Sequence, residues 1–107
     1  MKITWSPLAL ERVVEAASYI SRDSSSEAVK WVGEIFNSVK RLESFPESGR
    51  IVPEINNHTI REIIYGNYRI IYQISEKEIE ILTVRNFKRK IDMDEIPVGP
   101  SRSPDNP

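Results

Sequence analysis

The chain contains no cysteine and only one histidine. Without cysteine there can be no disulfide framework and no thiolate chemistry. With a single histidine, carboxylates would have to supply most ligands of a zinc site. We therefore expect neither a metal site nor another cofactor.

Long apolar runs are also missing. No window approaches the roughly 18 apolar residues that a bilayer span needs, and the opening MKITWSPLALE does not have the pattern of a secretion signal. We therefore expect a cytoplasmic protein without membrane association. A length of 107 residues with 39% hydrophobic residues fits one small domain. We place this domain at residues 1–95, followed by a proline-rich tail over 96–107 that cannot extend a strand ladder.

An excess of one charge is absent as well. The net charge is -1, from 15 basic and 16 acidic residues, which is not typical of a nucleic-acid-binding protein. The local distribution is less even, because RNFKRK at residues 85–90 contains four cations and no acid. Such a run is either a solvated strand end or part of a binding surface.

Two helix start signals follow a short predicted strand, KITWS. Ser6 can cap a helix that has Pro7 in its first position, and Ser24 with Glu27 forms a capping-box pattern. Only residues 21–24 separate the two helices, which predicts an antiparallel helical hairpin. Apolar residues at helical spacing predict the buried faces: Val13, Val14, Ala17 and Ile20 in the first helix, and Ala28, Trp31, Val32, Ile35, Phe36, Val39 and Leu42 in the second, which we expect to continue to Phe45.

The remaining sequence predicts strands. IREIIYGNYRIIYQI at residues 60–74 contains two runs of β-branched and aromatic residues around a Gly-Asn hairpin signal, and EIEILTVRNF predicts a further strand. The predicted fold is α+β, with the order β-α-α-β-β-β. We expect an antiparallel sheet of about four strands with the helical hairpin packed on one face.

This hairpin carries two arginines, Arg61 and Arg69, among residues that would build a core. The predicted register pairs Arg61 with Tyr72 and Ile64 with Arg69, so the two arginines lie on opposite faces. Each has a structural alternative to a binding role, namely an ion pair with Glu62 for Arg69 and stacking on Tyr72 for Arg61. Because two helices cover only one face, we expect the other face to stay open as an interaction site.

The order of the motifs resembles the RelE/ParE superfamily of toxins from type II toxin-antitoxin systems, over roughly residues 2–90. The matching segments are ITWSPLA, SYI, FPESGRIVPE, YRIIY and ILTVRNFKR. The resemblance implies a compact α+β toxin, a cognate antitoxin that wraps it, and hetero-oligomers of the two proteins. ITWSPLALERV and SYI are closer to the ParE-like branch, known for plasmid stabilisation and growth inhibition.

Two activities occur in this superfamily. The ParE-like branch poisons DNA gyrase and is not known to catalyse a reaction, whereas the RelE-like branch is an endoribonuclease that cuts messenger RNA on the ribosome. Cutting RNA needs a base, an acid and cations for the phosphate. Glu54, Glu62 or Lys88 could act as a base, and we read His58 as a turn residue. We favour gyrase binding, with the ribonuclease and an inactive member that binds only an antitoxin as alternatives.

Candidate site residues follow from the resemblance and from the hairpin register. If the protein cuts RNA, the candidates for contact with the phosphate are Arg61, Arg69, Arg85 and Arg89. For binding of the target or the antitoxin, the candidates are Arg50, Arg61, Tyr65, Tyr68, Arg69, Tyr72, Arg85, Asn86, Lys88 and Arg89.

Overall fold

The computed structural model describes residues 1–88 and 91–96 of the chain. Two α-helices pack against one sheet of five strands. The helices are α1 (Pro7–Ser21) and α2 (Ser25–Ser38), and the strands are β1 (Lys2–Trp5), β2 (Arg50–Ile51), β3 (Ile60–Tyr65), β4 (Tyr68–Ile74) and β5 (Glu78–Asn86). Short 3₁₀ turns span Lys40–Glu43, Pro46–Ser48 and Met93–Glu95. No helix in these ranges is both long and apolar enough to cross a bilayer.

The predicted cap of α1 is confirmed and also joins the helix to the sheet. The Ser6 hydroxyl accepts a hydrogen bond from the Ala9 amide at 3.0 Å and donates one to the Leu82 carbonyl of β5, also at 3.0 Å. Pro7 occupies the first helical position, where a missing amide hydrogen costs nothing. One serine thus fixes both the start of α1 and its position relative to β5.

Helix α2 begins as predicted but ends earlier. The Ser24 hydroxyl accepts from the Glu27 amide at 3.2 Å. The helix ends at Ser38, whereas the prediction placed its end near Phe45. The chain continues as a 3₁₀ turn in which Leu42 is fully buried. The Ser38 hydroxyl donates to the Ile35 carbonyl at 2.7 Å, a local bond that competes with continuation of the helix.

The predicted α+β class is confirmed, and the sheet differs in two details. The strand order is β1-β5-β4-β3-β2, and β1 pairs with β5 in parallel, so the sheet is mixed where we expected an antiparallel one. The helical hairpin turns the chain back before β5 forms, which allows the first and last strands to run side by side. Strand β2 was missed because two residues are too short to show an alternating pattern.

The register of the β3-β4 hairpin is confirmed residue by residue. Tyr65 pairs with Tyr68, Ile64 with Arg69, and Arg61 with Tyr72. Gly66 has a φ of 57°, which a tight hairpin turn needs and glycine adopts without a steric cost. Beyond this hairpin, the β4-β5 register shifts between Ile71 and Tyr72.

The main core lies between the helices and the near face of the sheet. Val13 of α1 is 4% exposed, whereas Val14 is 63% exposed, so the prediction that Val14 faces the core was wrong. Phe36 is half-buried and its ring lies 4.5 Å from that of Trp5. Buried members of this core include Ala9, Trp31, Ile35, Val39, Leu42, Ile63, Ile70, Tyr72, Ile79 and Ile81.

The far face of the sheet is not open, contrary to our expectation. A second apolar cluster covers it, formed by Val52, Ile55, Ile60, Ile71, Leu82 and Ile96. Its outer layer comes from the loop between β2 and β3 and from residues 91–96, two irregular segments that periodicity cannot detect. The predicted proline-rich tail begins at Ile96, which is part of this cluster, and residues 97–107 of that tail lie outside the described residues.

Truncation of Ile35 tests the packing of α2. Ile35 is fully buried, so Ile35→Ala should lower the free energy of unfolding by about 2 to 5 kcal/mol in chemical denaturation. Val29 is 75% exposed on the same helix, and the matched control Val29→Ala should change it by less than about 0.5 kcal/mol. Equal effects of the two substitutions would show that the phase of α2 is wrong.

Candidate functional site

Arg69 lies in a network of carboxylates on the far face of the sheet. Its side chain is 5% exposed, and its Nε donates to Glu62 Oε1 at 2.5 Å. Its two terminal nitrogens bind both oxygens of Glu54, at 2.7 and 2.9 Å. The guanidinium also lies 5.6 Å from the centre of the Phe87 ring. The predicted ion pair with Glu62 is therefore present, and Arg69 has no exposed face for a phosphate.

Glu62 joins this network to the neighbouring strand. Its side chain is fully buried, and its second oxygen accepts from Arg50 Nε at 2.5 Å. Hydrogen bonds from Arg69 lower the pKa of Glu54 to about 2, against the opposing effect of burial. A carboxylate with such a pKa is a weak proton acceptor at neutral pH. Glu54 is therefore poorly suited to act as the base of an RNA-cutting site, and both oxygens of the buried Glu62 are already bound by arginines.

Arg61 binds backbone carbonyls and does not stack on Tyr72 as we considered. Its Nε donates to the carbonyl of His58 at 3.0 Å, and its Nη1 donates to those of Glu47 and Gly49 at 3.2 and 3.0 Å. The side chain is 15% exposed. Arg61 thus ties together two loops at the start of β3.

The glycine of PESGR, Gly49, has a packing role. A Cβ atom at Gly49 would lie 2.6 Å from both the Tyr72 hydroxyl and the Glu62 carbonyl, so the close approach of this loop requires glycine. The Gly49 amide donates to the Tyr72 hydroxyl at 3.0 Å, and that hydroxyl donates to the Pro46 carbonyl at 2.7 Å. The adjacent Arg50 then reaches Glu62.

The three candidate tyrosines lie on the helical side of the sheet. Tyr72 is fully buried, and burial raises the pKa of its hydroxyl, so it belongs to the core and offers no binding surface. The Tyr68 ring packs 4.9 Å from Trp31. A hydrogen bond with Glu34 raises the pKa of Tyr65. Tyr72 therefore has no exposed surface, whereas Tyr68 is half-buried.

A cation cleft lies between α1 and the ends of β4 and β5, with a volume of about 780 Å³. Four cations and one carboxylate line it, together with two tyrosines. The sequence did not indicate the α1 side of this cleft, because Arg12 lies outside the apolar stripe that predicted the buried face of α1. The polar and aromatic residues that line the cation cleft are Arg12, Glu15, Tyr19, Arg22, Tyr68, Arg85, Asn86 and Lys88.

The predicted residues at the end of β5 meet in this cleft. Asn86 Oδ1 accepts from the Lys88 amide at 2.9 Å and fixes the turn after the strand, while the Lys88 side chain is exposed. Arg22 lies with its guanidinium 5.7 Å from the ring centre of the exposed Tyr19. Arg89 was a candidate too, and it lies outside the described residues.

Glu95 binds two of the arginines that line the cation cleft. Its Oε2 accepts from Arg12 Nη2 and, at 3.2 Å, from Arg85 Nη1. Its Oε1 accepts from the Thr83 hydroxyl at 2.6 Å. Burial alone would raise the pKa of Glu95, but the bonds from Arg12 and Thr83 and the charge of Arg85 outweigh it, so its pKa lies below the ordinary value.

An apolar groove runs between α1 and α2 on the side away from the sheet, with a volume of about 490 Å³. Leu10, Val14 and Val29 line it and are 42%, 63% and 75% exposed. The signal in the sequence was a second apolar stripe on α1, which we had merged with the core stripe. Val14 and Ser18 line both this helical groove and the cation cleft, so the two surfaces are continuous across α1.

These features define an α+β protein with two exposed surfaces, the cation cleft and the helical groove. His58 is exposed, and only its backbone carbonyl takes part in a bond to Arg61. Within residues 1–88 and 91–96, no group of three or more acidic or histidine side chains could hold a metal ion.

Comparison with known proteins gives the family. Residues 3–91 match the model of the ParE toxin of the type II toxin-antitoxin system parDE, and the chain belongs to this family. It is 38% identical over 85 residues to a Sinorhizobium fredii protein described as "Putative toxin Y4kP", covering 78% of this chain and 84% of that relative. The fold is similar to a chain of the chromosomal ParDE system from P. aeruginosa, with a TM-score of 0.67 and 21% identity. That similarity covers 80% of this chain and 95% of the other.

Substitution of Glu62 tests whether the sheet arginines are held by internal charges. Glu62→Gln removes the carboxylate between Arg50 and Arg69 and should lower the free energy of unfolding by about 3 kcal/mol, because the buried Arg69 loses one of its two carboxylate partners. Chemical denaturation measures this. The control Glu76→Gln alters an exposed carboxylate beyond β4 and should cost less than about 0.5 kcal/mol. A neutral effect of Glu62→Gln would contradict the structural role.

Proposed function

We propose that this ParE family toxin arrests growth by binding DNA gyrase and that a cognate antitoxin neutralises it in the cytoplasm by forming a hetero-oligomer with it. The observation that carries the proposal is that the arginines of the sheet are already bound by the chain's own groups. Arg69 and Arg50 bind carboxylates, and Arg61 binds carbonyls. An RNA-cutting site on this sheet would need those cations for the substrate.

The cation cleft is the surface that we assign to the target. Arg22 and Lys88 are exposed at its two sides, and Tyr19 adds a ring that is 67% exposed. Exposed cations beside aromatic rings suit a protein partner, because aromatic residues and arginine are enriched where interfaces gain their affinity. Since Arg61 ties two loops together, its replacement would report on folding rather than on the target.

The helical groove is the surface that we assign to the antitoxin. The far face of the sheet is filled by the chain itself, whereas Leu10, Val14 and Val29 stay exposed beside one another. An amphipathic helix can lay its apolar face into such a groove. The groove therefore replaces the sheet face that we expected from the sequence.

Purified proteins test the target. We expect gyrase to lose DNA supercoiling activity when this protein is added, and messenger RNA translated in its presence to stay intact. Messenger RNA cut during translation, with gyrase unaffected, would overturn the proposal in favour of a ribosome-dependent endoribonuclease. A protein that has no effect in either assay, but that binds its antitoxin in a separate experiment, would be an inactive member.

Charge removal at the cleft tests the surface assigned to the target. The double variant Arg22→Gln with Lys88→Gln should inhibit gyrase about tenfold less, as expected for the loss of two contacts of modest energy. Both side chains are exposed, so the melting temperature should stay the same. The control double variant Lys30→Gln with Lys77→Gln removes two exposed cations outside the cleft and should inhibit like the parent. An unchanged potency of the cleft variant would assign the target to another surface.

A charge in the helical groove tests antitoxin binding. Val29→Glu should weaken binding of the cognate antitoxin about 100-fold in calorimetry, because the complex would bury an unpaired carboxylate. Phe45 is 67% exposed and does not line the groove, so Phe45→Glu is the matched control and should bind normally. Normal binding by both variants would show that the antitoxin covers a different face.

A further inference from the structure

Glu95 occupies a site that has the features of a carboxylate receptor. Three donors from two elements converge on its two oxygens: Arg12 from α1, and Thr83 and Arg85 from β5. The Glu95 side chain is 6% exposed. A carboxylate bound by two guanidinium groups and a hydroxyl has strong, charge-assisted hydrogen bonds. We call the three donor residues the carboxylate cradle.

Glu95 does not use every donor of the cradle. Arg12 Nε is buried and has no hydrogen-bond partner among the residues that the structure describes. Buried donors without a partner are costly and are uncommon in folded proteins. Arg12 Nη1 donates to both carboxylate oxygens of Glu15, at 2.8 and 3.1 Å. Glu95 therefore fills the cradle without satisfying it completely.

Glu95 reaches the cradle from a short segment. Met93–Glu95 form one 3₁₀ turn, capped by the Asp92 carboxylate, which accepts from the Asp94 amide at 3.0 Å. On either side of this turn, Ile91 and Ile96 pack in the cluster on the far face. Because Glu95 belongs to the same chain, it binds the cradle intramolecularly, and an outside carboxylate needs several neighbouring contacts to compete.

The position of the cradle indicates where a competing carboxylate would come from. The cradle arginines line the cation cleft, which is continuous with the helical groove at Val14 and Ser18. A chain seated in the groove needs only to cross α1 to reach Arg12. Glu15, 53% exposed beside Arg12, repels a multiply charged phosphate more than a singly charged carboxylate.

We propose that Arg12, Thr83 and Arg85 form a carboxylate-binding site that Glu95 fills in cis and that an acidic segment of the neutralising protein fills in trans. The identity of that partner rests on the proposed function. A carboxylate of the partner replaces that of Glu95, and the turn at residues 93–95 is released from the cradle when the acidic segment binds.

A peptide titration tests the site in the full chain. The probe is a hexaglutamate peptide, and the readout is the NMR signals of the Arg12 and Arg85 side chains and of Thr83. Glu95→Ala should bind the peptide about tenfold more tightly than the parent, because the internal competitor is gone. Asp94→Asn is the matched control, since Asp94 is exposed in the same turn, and it should bind like the parent. Adding Arg12→Gln to Glu95→Ala should abolish the gain.

Three results would overturn the proposal. The first is equal peptide affinity of Glu95→Ala and the parent, and the second is a gain in affinity that persists when Arg12→Gln is added. The third is tighter binding of inorganic pyrophosphate than of hexaglutamate, which would make the cradle a phosphate site. If Glu95→Ala does not fold, the unaltered chain still decides, because saturating peptide must shift its Arg12 and Thr83 signals. The titration contains neither gyrase nor antitoxin, so its failure and that of the proposed function are distinguishable.

Discussion

The buried carboxylate of Glu62 is the constraint on which much of the structure depends. It lies between Arg50 of β2 and Arg69 of β4, so one charge on β3 links the strands on either side. Removing this carboxylate would leave the buried Arg69 with Glu54 as its one remaining carboxylate partner. Arg69 in turn holds Glu54, which fixes the loop after β2 over the far face of the sheet. The second apolar cluster can form there because this loop is held in place.

This use of charge also decides where the protein can bind other molecules. The net charge is near zero, and the arginines of the sheet are bound within the fold, Arg50 and Arg69 by carboxylates. The cations that remain exposed in the described ranges include Arg22 and Lys88, at the cation cleft.

Helix α1 connects the two surfaces to which we assign partners. Its face toward the sheet buries Ala9 and Val13, one side borders the helical groove through Leu10 and Val14, and Arg12 reaches Glu95 at the cleft. Because Val14 and Ser18 border both surfaces, a molecule bound in the groove would restrict access to the cleft. In the function that we propose, the antitoxin neutralises the toxin by this overlap.

The sequence by itself determined the local features: the Ser6 and Ser24 caps, the helical hairpin, the Gly66 turn and the β3-β4 register. Each depends on neighbours a few residues apart, whose preferences act in short segments. Tertiary structure alone decided which sheet face the helices cover, the parallel pairing of β1 with β5, and the partners of Arg61 and Glu95. Those outcomes depend on contacts between distant residues, and an alternating strand pattern is equally compatible with either face.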